Sequence, residues 1–272
     1  MDGRPIGVFD SGVGGLTVLH ECLVTMPNED FVYLGDHARL PYGPRPLDEI
    51  RRFAREIAAY LAAQDVKLVL VACNTATSAG LPKLQEALSV PVVGVIQPEA
   101  HAAVQATRNR KIGLLATKAT VEAGRYAEFV AALDAGAEFT ALPCPRLVPL
   151  IEGDDPFGAE TTAAVREYAE PLKDGGVDTV ILGCTHYPLI RKIFERVFGR
   201  AVTLVFSAEE TAREVAETLA RKGVENARGR EGAYRFLTTG DPEEFRELGR
   251  RFLQLPVREV EHVKVATLEA AA

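Results

Sequence analysis

Two short stretches of this chain set a cysteine where an apolar run gives way to polar residues. They are Cys73-Asn74-Thr75-Ala76-Thr77, after Val69–Ala72, and Cys184-Thr185-His186-Tyr187-Pro188, after Val180–Gly183. Each reads as the carboxyl end of a strand followed by a helix. A helix N-terminus offers free N–H groups to the sulfur, which predicts a thiol pKa below the reference of roughly 8.5. The hydroxyl and amide donors after each cysteine suit a carboxylate. A free cysteine alone is most often a small core residue, but two in matching contexts point to chemistry. His186, two residues from Cys184, is placed to tune that thiol or relay its proton, the alternative being a capping or core histidine. Other pairings stay open. Cys73, Cys184 and His186 could ligate zinc, although local C-x-x-C or H-x-x-x-H spacing is missing. The two thiols could form a redox pair, or one could serve a Cys–His hydrolase, leaving the second unexplained.

Two further loops carry polar residues that packing does not require. Asp10-Ser11-Gly12-Val13-Gly14-Gly15 combines a carboxylate with glycines that permit tight turns before a helix start, an anion-binding arrangement. A phosphate loop is the competing reading, but the run lacks Gly-Lys-Ser/Thr and does not fit G-x-G-x-x-G. Asp10 on its own would be read as a turn or capping residue. Gly35-Asp36-His37-Ala38-Arg39-Leu40-Pro41-Tyr42-Gly43 reads either as a polar loop closing over a small ligand, with Tyr42 donating a hydrogen bond, or as a surface turn with an aromatic plug. Cys22 lies in a helical pattern and reads as core. Cys144, between Pro143 and Pro145, reads as a turn residue without chemistry.

The elements that must position these residues alternate. Ile6–Asp10, Phe31–Asp36, Lys67–Ala72, Val92–Val95, Lys111–Ala116, Glu138–Leu142, Asp178–Leu182 and Val202–Val205 read as strands, several nearly all apolar as buried parallel strands are. Leu47–Gln64, Thr120–Leu133, Gly158–Lys173 and Ala208–Lys222 read as helices. Such alternation predicts an α/β fold with mostly parallel sheets, and ligands bind at the carboxyl ends of such strands. A weak internal repeat supports two halves: Ile6-Gly7-Val8-Phe9 resembles Ile112-Gly113-Leu114-Leu115, and Val69–Thr75 resembles Val180–His186, at similar offsets. The first domain is expected over 1–97, completed by 208–272, and the second over 98–207. The last stretch, with Tyr234–Thr238 and Glu259–Val263, has no counterpart in the repeat.

Composition bounds the function. Over 272 residues, 31 basic and 38 acidic side chains give a net charge of −7, which argues against nucleic acid or an anionic membrane as partner. No apolar run approaches the roughly 20 residues of a membrane span, and the N-terminus lacks the pattern of a signal peptide. A cytoplasmic protein with four free thiols is expected.

Together the motifs resemble the glutamate racemases of the aspartate/glutamate racemase superfamily. The resemblance is carried by VFDSGVGGLTVL (Val8–Leu19), GDHARLPYG (Gly35–Gly43), ACNTATSA (Ala72–Ala79), PVVGVIQPEA (Pro91–Ala100) and LGCTHYPLI (Leu182–Ile190), with weaker matches at Ile112–Tyr126 and Cys144–Asp154. It implies two similar α/β domains facing each other across a cleft, pseudo-two-fold related, with one cysteine on each wall. It also implies glutamate as substrate, no pyridoxal phosphate, metal or nucleotide, a homodimer, and D-glutamate made for peptidoglycan. At matching positions it assigns substrate contacts to Asp10, Ser11, Tyr42, Gly43, Asn74, Thr75, Thr117, Thr120, Thr185 and His186. Cys73, supported by Asp10, would take the proton from D-glutamate. Cys184, supported by His186 with Glu152 as assistant, would take it from L-glutamate. Two departures stand out: His37 where a threonine is common, and Phe206 before Ser207 where an aspartate often sits. The neighbouring readings are an aspartate or hydantoin racemase of the same superfamily, a single-cysteine decarboxylase or lyase of similar fold, and a non-catalytic regulator that has kept the fold.

Overall fold

The structure, a computed structural model, describes residues 2–226, 229–254 and 256–266. Its elements run β1 (Ile6–Asp10), α1 (Leu16–Thr25), β2 (Phe31–Gly35), α2 (Leu47–Ala62), β3 (Leu68–Val71), α3 (Asn74–Ala87), β4 (Val92–Gly94), α4 (Ile96–Ala106), β5 (Lys111–Ala116), α5 (Lys118–Glu122), α6 (Arg125–Leu133), β6 (Glu138–Pro143), α7 (Leu147–Glu152), α8 (Ala159–Asp174), β7 (Thr179–Gly183), α9 (Arg191–Phe198), β8 (Thr203–Phe206), α10 (Ser207–Lys222), β9 (Tyr234–Thr238), α11 (Pro242–Leu253) and β10 (Val260–His262).

The strands form two sheets, β10-β9-β2-β1-β3-β4 and β6-β5-β7-β8, and every recorded pairing is parallel. This is the expected fold class, two α/β domains built on parallel sheets. The order β2-β1-β3-β4 recurs as β6-β5-β7-β8, so β3 and β7, the strands that deliver Cys73 and Cys184, hold equivalent places. β9 and β10, from the stretch without a counterpart in the repeat, extend the first sheet beyond β2.

Burial explains why these runs are strands. All of β1, β2, β3 and β7 is buried, which takes helices on both faces. α2 shows the complementary pattern: Ile50, Phe53, Ala54, Ile57, Ala58 and Leu61 recur at helical spacing and are buried, the large ones contributing about 1.5–3 kcal/mol each. One core joins α1, α10 and one face of the first sheet to the interior of the second. A smaller one lies beneath α2 and α3.

Two local expectations need correcting. The helix expected over Thr120–Leu133 is two helices, α5 and α6, because Gly124 between them adopts φ 69°, a left-handed backbone that ends a helix and favours glycine. The helix expected directly after Cys184 is instead a 3-10 turn over Tyr187–Ile190, with α9 starting only at Arg191. Pro188 lies in that turn and lacks the N–H that a regular helix would need beyond its first turn.

Candidate active site

Strand register decides which side chains meet. Asp10 aligns with Gly35, and Phe9 with Val71, so Ser11, the Asp36–Gly43 loop and Cys73 leave the first sheet at one edge. In the second sheet Ala116 aligns with Pro143 and with Gly183, which brings Thr117, Cys144 and Cys184 to the corresponding edge. These edges enclose a cavity of about 200 Å³ whose walls include Ser11, Tyr42, Gly43, Cys73, Asn74, Thr75, Thr117, Cys144, Cys184, Thr185 and His186. That is below the roughly 300–1,000 Å³ of pockets for drug-sized ligands and suits a single amino acid. Larger hollows, such as one of about 430 Å³ beside Tyr234 and Arg258, lie on the surface and hold no cysteine.

On the first wall, Cys73 caps α3, its sulfur accepting from the Ala76 N–H at 3.5 Å and its S–H donating to Ser11 Oγ at 3.8 Å. Burial, and after it the neighbouring Asp10 carboxylate, push the Cys73 thiol well above its ordinary value. The lowering expected from the helix N-terminus is therefore overturned: the backbone N–H groups of Ala76 and Ser11 do not offset removal from water beside a carboxylate. Asp10 is buried beneath this wall rather than in the cavity lining. Its Oδ2 accepts from Gly15 N at 2.9 Å and Gly12 N at 3.4 Å, while Oδ1 has no partner among the described residues.

On the second wall, Cys184 Sγ lies 3.7 Å from His186 Nδ1, and His186 Nε2 lies 2.8 Å from Glu152 Oε1. Burial alone would lower the His186 pKa, but its bonds to Cys184 and Glu152 outweigh that and hold it well above the ordinary value. Burial would likewise raise Glu152, yet His186 holds it below the ordinary carboxylate value. Each partner therefore favours the charged form of the other. Glu152 stands behind His186, outside the cavity lining.

The two walls touch. A Cβ on Gly14 would lie 2.5 Å from both His186 Cε1 and Thr185 Oγ1, so only glycine lets the Asp10 loop come so close. Thr17 Oγ1 donates to the Thr185 carbonyl at 3.0 Å, and the Gly43 carbonyl accepts from Ala119 N at 3.0 Å. Hydroxyls of Thr75, Thr117 and Thr120 form a closed triangle, with sides of 2.9, 2.9 and 3.3 Å. Thr120 forms its rear corner, outside the cavity lining. Asn74 Nδ2 donates to Glu99 Oε2 at 2.9 Å and to the Tyr126 hydroxyl at 2.7 Å, leaving Asn74 Oδ1 unpartnered among the described residues. Tyr42 lines the cavity, but its hydroxyl, expected to serve a ligand, donates to Asp36.

Cys144, for which the sequence suggests a turn without chemistry, lines the cavity, with burial pushing its thiol up to about 12. Its place at the carboxyl end of β6 was the available signal. Glu99 and Tyr126 behind Asn74 lie within the matching stretches Pro91–Ala100 and Ile112–Tyr126 without a role assigned there, whereas Arg251 and Phe252 behind His186 lie outside every such stretch. All four cysteines are free thiols. Among the described residues no group of three or more His, Cys, Asp or Glu is arranged to hold a metal ion, and no helix is long and apolar enough to cross a membrane.

The Asp/Glu/Hydantoin racemase family model matches residues 17–215. A glutamate racemase of Listeria monocytogenes is 44% identical over 96% of this chain and 98% of its own length. Among solved structures, a glutamate racemase of Bacillus anthracis superposes with a TM-score of 0.94 at 39% identity, covering 97% of this chain and 99% of that one. One of Francisella tularensis, in complex with D-glutamate, gives 0.92 at 33% identity, covering 98% and 100%.

Proposed function

The chain belongs to the glutamate racemases of the Asp/Glu/hydantoin racemase family and is an isomerase, and on that premise we propose that it interconverts L- and D-glutamate by passing the α-proton between Cys73 and Cys184. The observation that carries this is the cavity itself: sulfurs from equivalent strand ends line one amino-acid-sized space, each with its own proton partner. Removal and return of a proton on one face restores the starting enantiomer, so inversion needs a base on one side of Cα and an acid on the other.

For L-glutamate, Cys184 as thiolate takes the α-proton while the Cys73 S–H gives one to the opposite face. The C–H electron pair passes through the α-carboxylate, and the enzyme is left with a Cys184 thiol and a Cys73 thiolate, the form that takes D-glutamate. The raised Cys73 thiol holds its proton at rest, and the His186 imidazolium offers charge compensation to Cys184 once its proton is off. Negative charge growing on the α-carboxylate is met by preorganised donors, for which the hydroxyls of Thr75, Thr117 and Thr185 and the main chain at Gly43 and Ser11 are candidates. Thr120 holds the first two hydroxyls in place. The orphaned Oδ1 of Asn74, on the cavity wall, favours an ammonium group nearby, while Asp10 beneath the wall acts on the Cys73 thiol.

On the same reading the product feeds peptidoglycan in the cytoplasm and the protein works as a homodimer, the latter checked by light scattering. The test of the chemistry is deuterium uptake at Cα in D₂O. Each enantiomer should gain deuterium as it inverts, and inversion that keeps the original hydrogen would refute transfer through exchangeable thiols. An aspartate or hydantoin racemase is separated by offering those substrates in the same assay.

A further inference from the structure

His186 and Glu152 are held from behind by the far end of the chain. Arg251, in the last turn of α11, donates from Nη2 to the Glu152 carbonyl and from Nη1 to that of Gly153, each at 3.0 Å. Those carbonyls close the C-terminus of α7, where groups without helical partners attract a cation. Phe252, the next residue, is buried and stands nearly edge-on to His186, with ring centroids 5.2 Å apart and planes at 75°. The end of α11 is itself tied down, since His20 Nδ1 lies 2.8 Å from the Leu253 carbonyl. Nearer its start, Phe245 packs on Tyr33, whose hydroxyl donates to the Gly12 carbonyl in the Asp10 loop. One helix therefore braces the supports of both sulfur-bearing walls.

We propose that Arg251 and Phe252 are positioning residues for the His186–Glu152 pair. Arg251 fixes the end of α7 so that the Glu152 carboxylate meets Nε2, and Phe252 limits the ring so that Nδ1 stays directed at Cys184. Neither residue lines the cavity, so neither contacts substrate. The contact they protect is a long one, 3.7 Å from sulfur to nitrogen, and small rotations of the imidazole break it. The inference rests on reading His186 as the proton partner of Cys184.

The test measures kcat, KM and melting temperature for Arg251→Ala, Arg251→Lys, Phe252→Leu, His186→Asn and, as control, Arg250→Ala on the exposed side of the same helix. Enantiomers have equal free energy, so kcat/KM must stay equal in the two directions in every variant; the split between kcat and KM carries the information. A misplaced acid–base pair predicts kcat lower by about 10- to 100-fold in Arg251→Ala and Phe252→Leu, with KM little changed. Arg251→Lys should recover part of the loss, and Arg250→Ala should match the parent. Lowered melting temperature with full kcat, or a loss confined to KM, overturns the inference. If Arg251→Ala does not fold, Arg251→Lys and Phe252→Leu decide by the same criteria. If His186→Asn keeps full kcat, the underlying reading of His186 fails; if it loses kcat while the α11 variants do not, only the bracing fails.

Discussion

Adding one methyl group at Gly14 should disable the protein without touching any ionisable group. An alanine Cβ there would overlap His186 Nδ1 and stand 2.5 Å from His186 Cε1 and from Thr185 Oγ1, whereas ordinary contact begins at 3.4 Å, so one wall must retreat by about 1 Å. The loop resists: Thr17 N donates to the Gly14 carbonyl at 3.0 Å, and Gly15 N is held by Asp10 at 2.9 Å. The second wall yields instead, carrying His186 away from its place beside Cys184. A displacement near 1 Å costs about 100-fold in rate, or about 2.7 kcal/mol of barrier. Circular dichroism of a pure enantiomer follows the loss, and a melting curve checks the fold. In a His186→Ala background the Thr185 hydroxyl still meets the methyl, but no imidazole is left to displace, so the double variant should lose far less than the product of the single losses. Wild-type kcat in Gly14→Ala, or multiplicative losses in the double, would refute the reasoning.

Other consequences are testable alongside. Cys73→Ala and Cys184→Ala should each abolish racemisation, and the parent's activity should survive dialysis against a chelator without added pyridoxal phosphate; near-normal turnover in either variant, or restoration only by an additive, counts against the two-thiol scheme. Glu152→Gln removes the partner that, with Cys184, holds His186 raised. A raised histidine stabilises fully below its unfolded value of roughly 6.5 and loses this as pH rises through the folded one, while the lowered Glu152 contributes above its unfolded value and loses this as pH falls through its folded one. The melting-temperature deficit of Glu152→Gln should thus be largest at about pH 5 to 6.5 and shrink at alkaline pH, and the alkaline limb of kcat should move down; a pH-independent deficit would contradict the ion pair. Thr117→Val deletes one corner of the hydroxyl triangle and should raise KM by about tenfold, the cost of a hydrogen bond to a charged group; an unchanged KM removes Thr117 from substrate binding.

Much of this arrangement was legible because it follows from local rules. Strands buried on both faces must be apolar throughout, so β1, β3, β5 and β7 announced themselves, and the rule that ligands gather at strand carboxyl ends picked out Ser11, Tyr42, Cys73 and Cys184. What stayed hidden depends on partners remote in the chain. The rise rather than fall of the Cys73 thiol depends on complete burial and on the nearness of Asp10, 63 residues earlier in the chain. Cys144 looked idle between two prolines because the cavity it lines is completed by Ser11, Tyr42 and Cys73, all remote in the chain. Tyr42 was expected to serve a ligand, but Asp36 takes its hydroxyl. Arg251 and Phe252 lie in a helix whose amphipathic pattern says that it packs, not against what.

The pairing of β2 with β9 joins Phe31 to Tyr234, and it carries a consequence for how the protein is made. A ribosome releases the chain from its N-terminus, so β2 emerges with its outer edge bare and must wait for about two hundred residues before its neighbour exists. Throughout that interval the nascent first sheet presents open backbone donors and acceptors to anything nearby. A pause or truncation downstream of β8 would therefore leave a chain that holds both cysteines yet invites self-association.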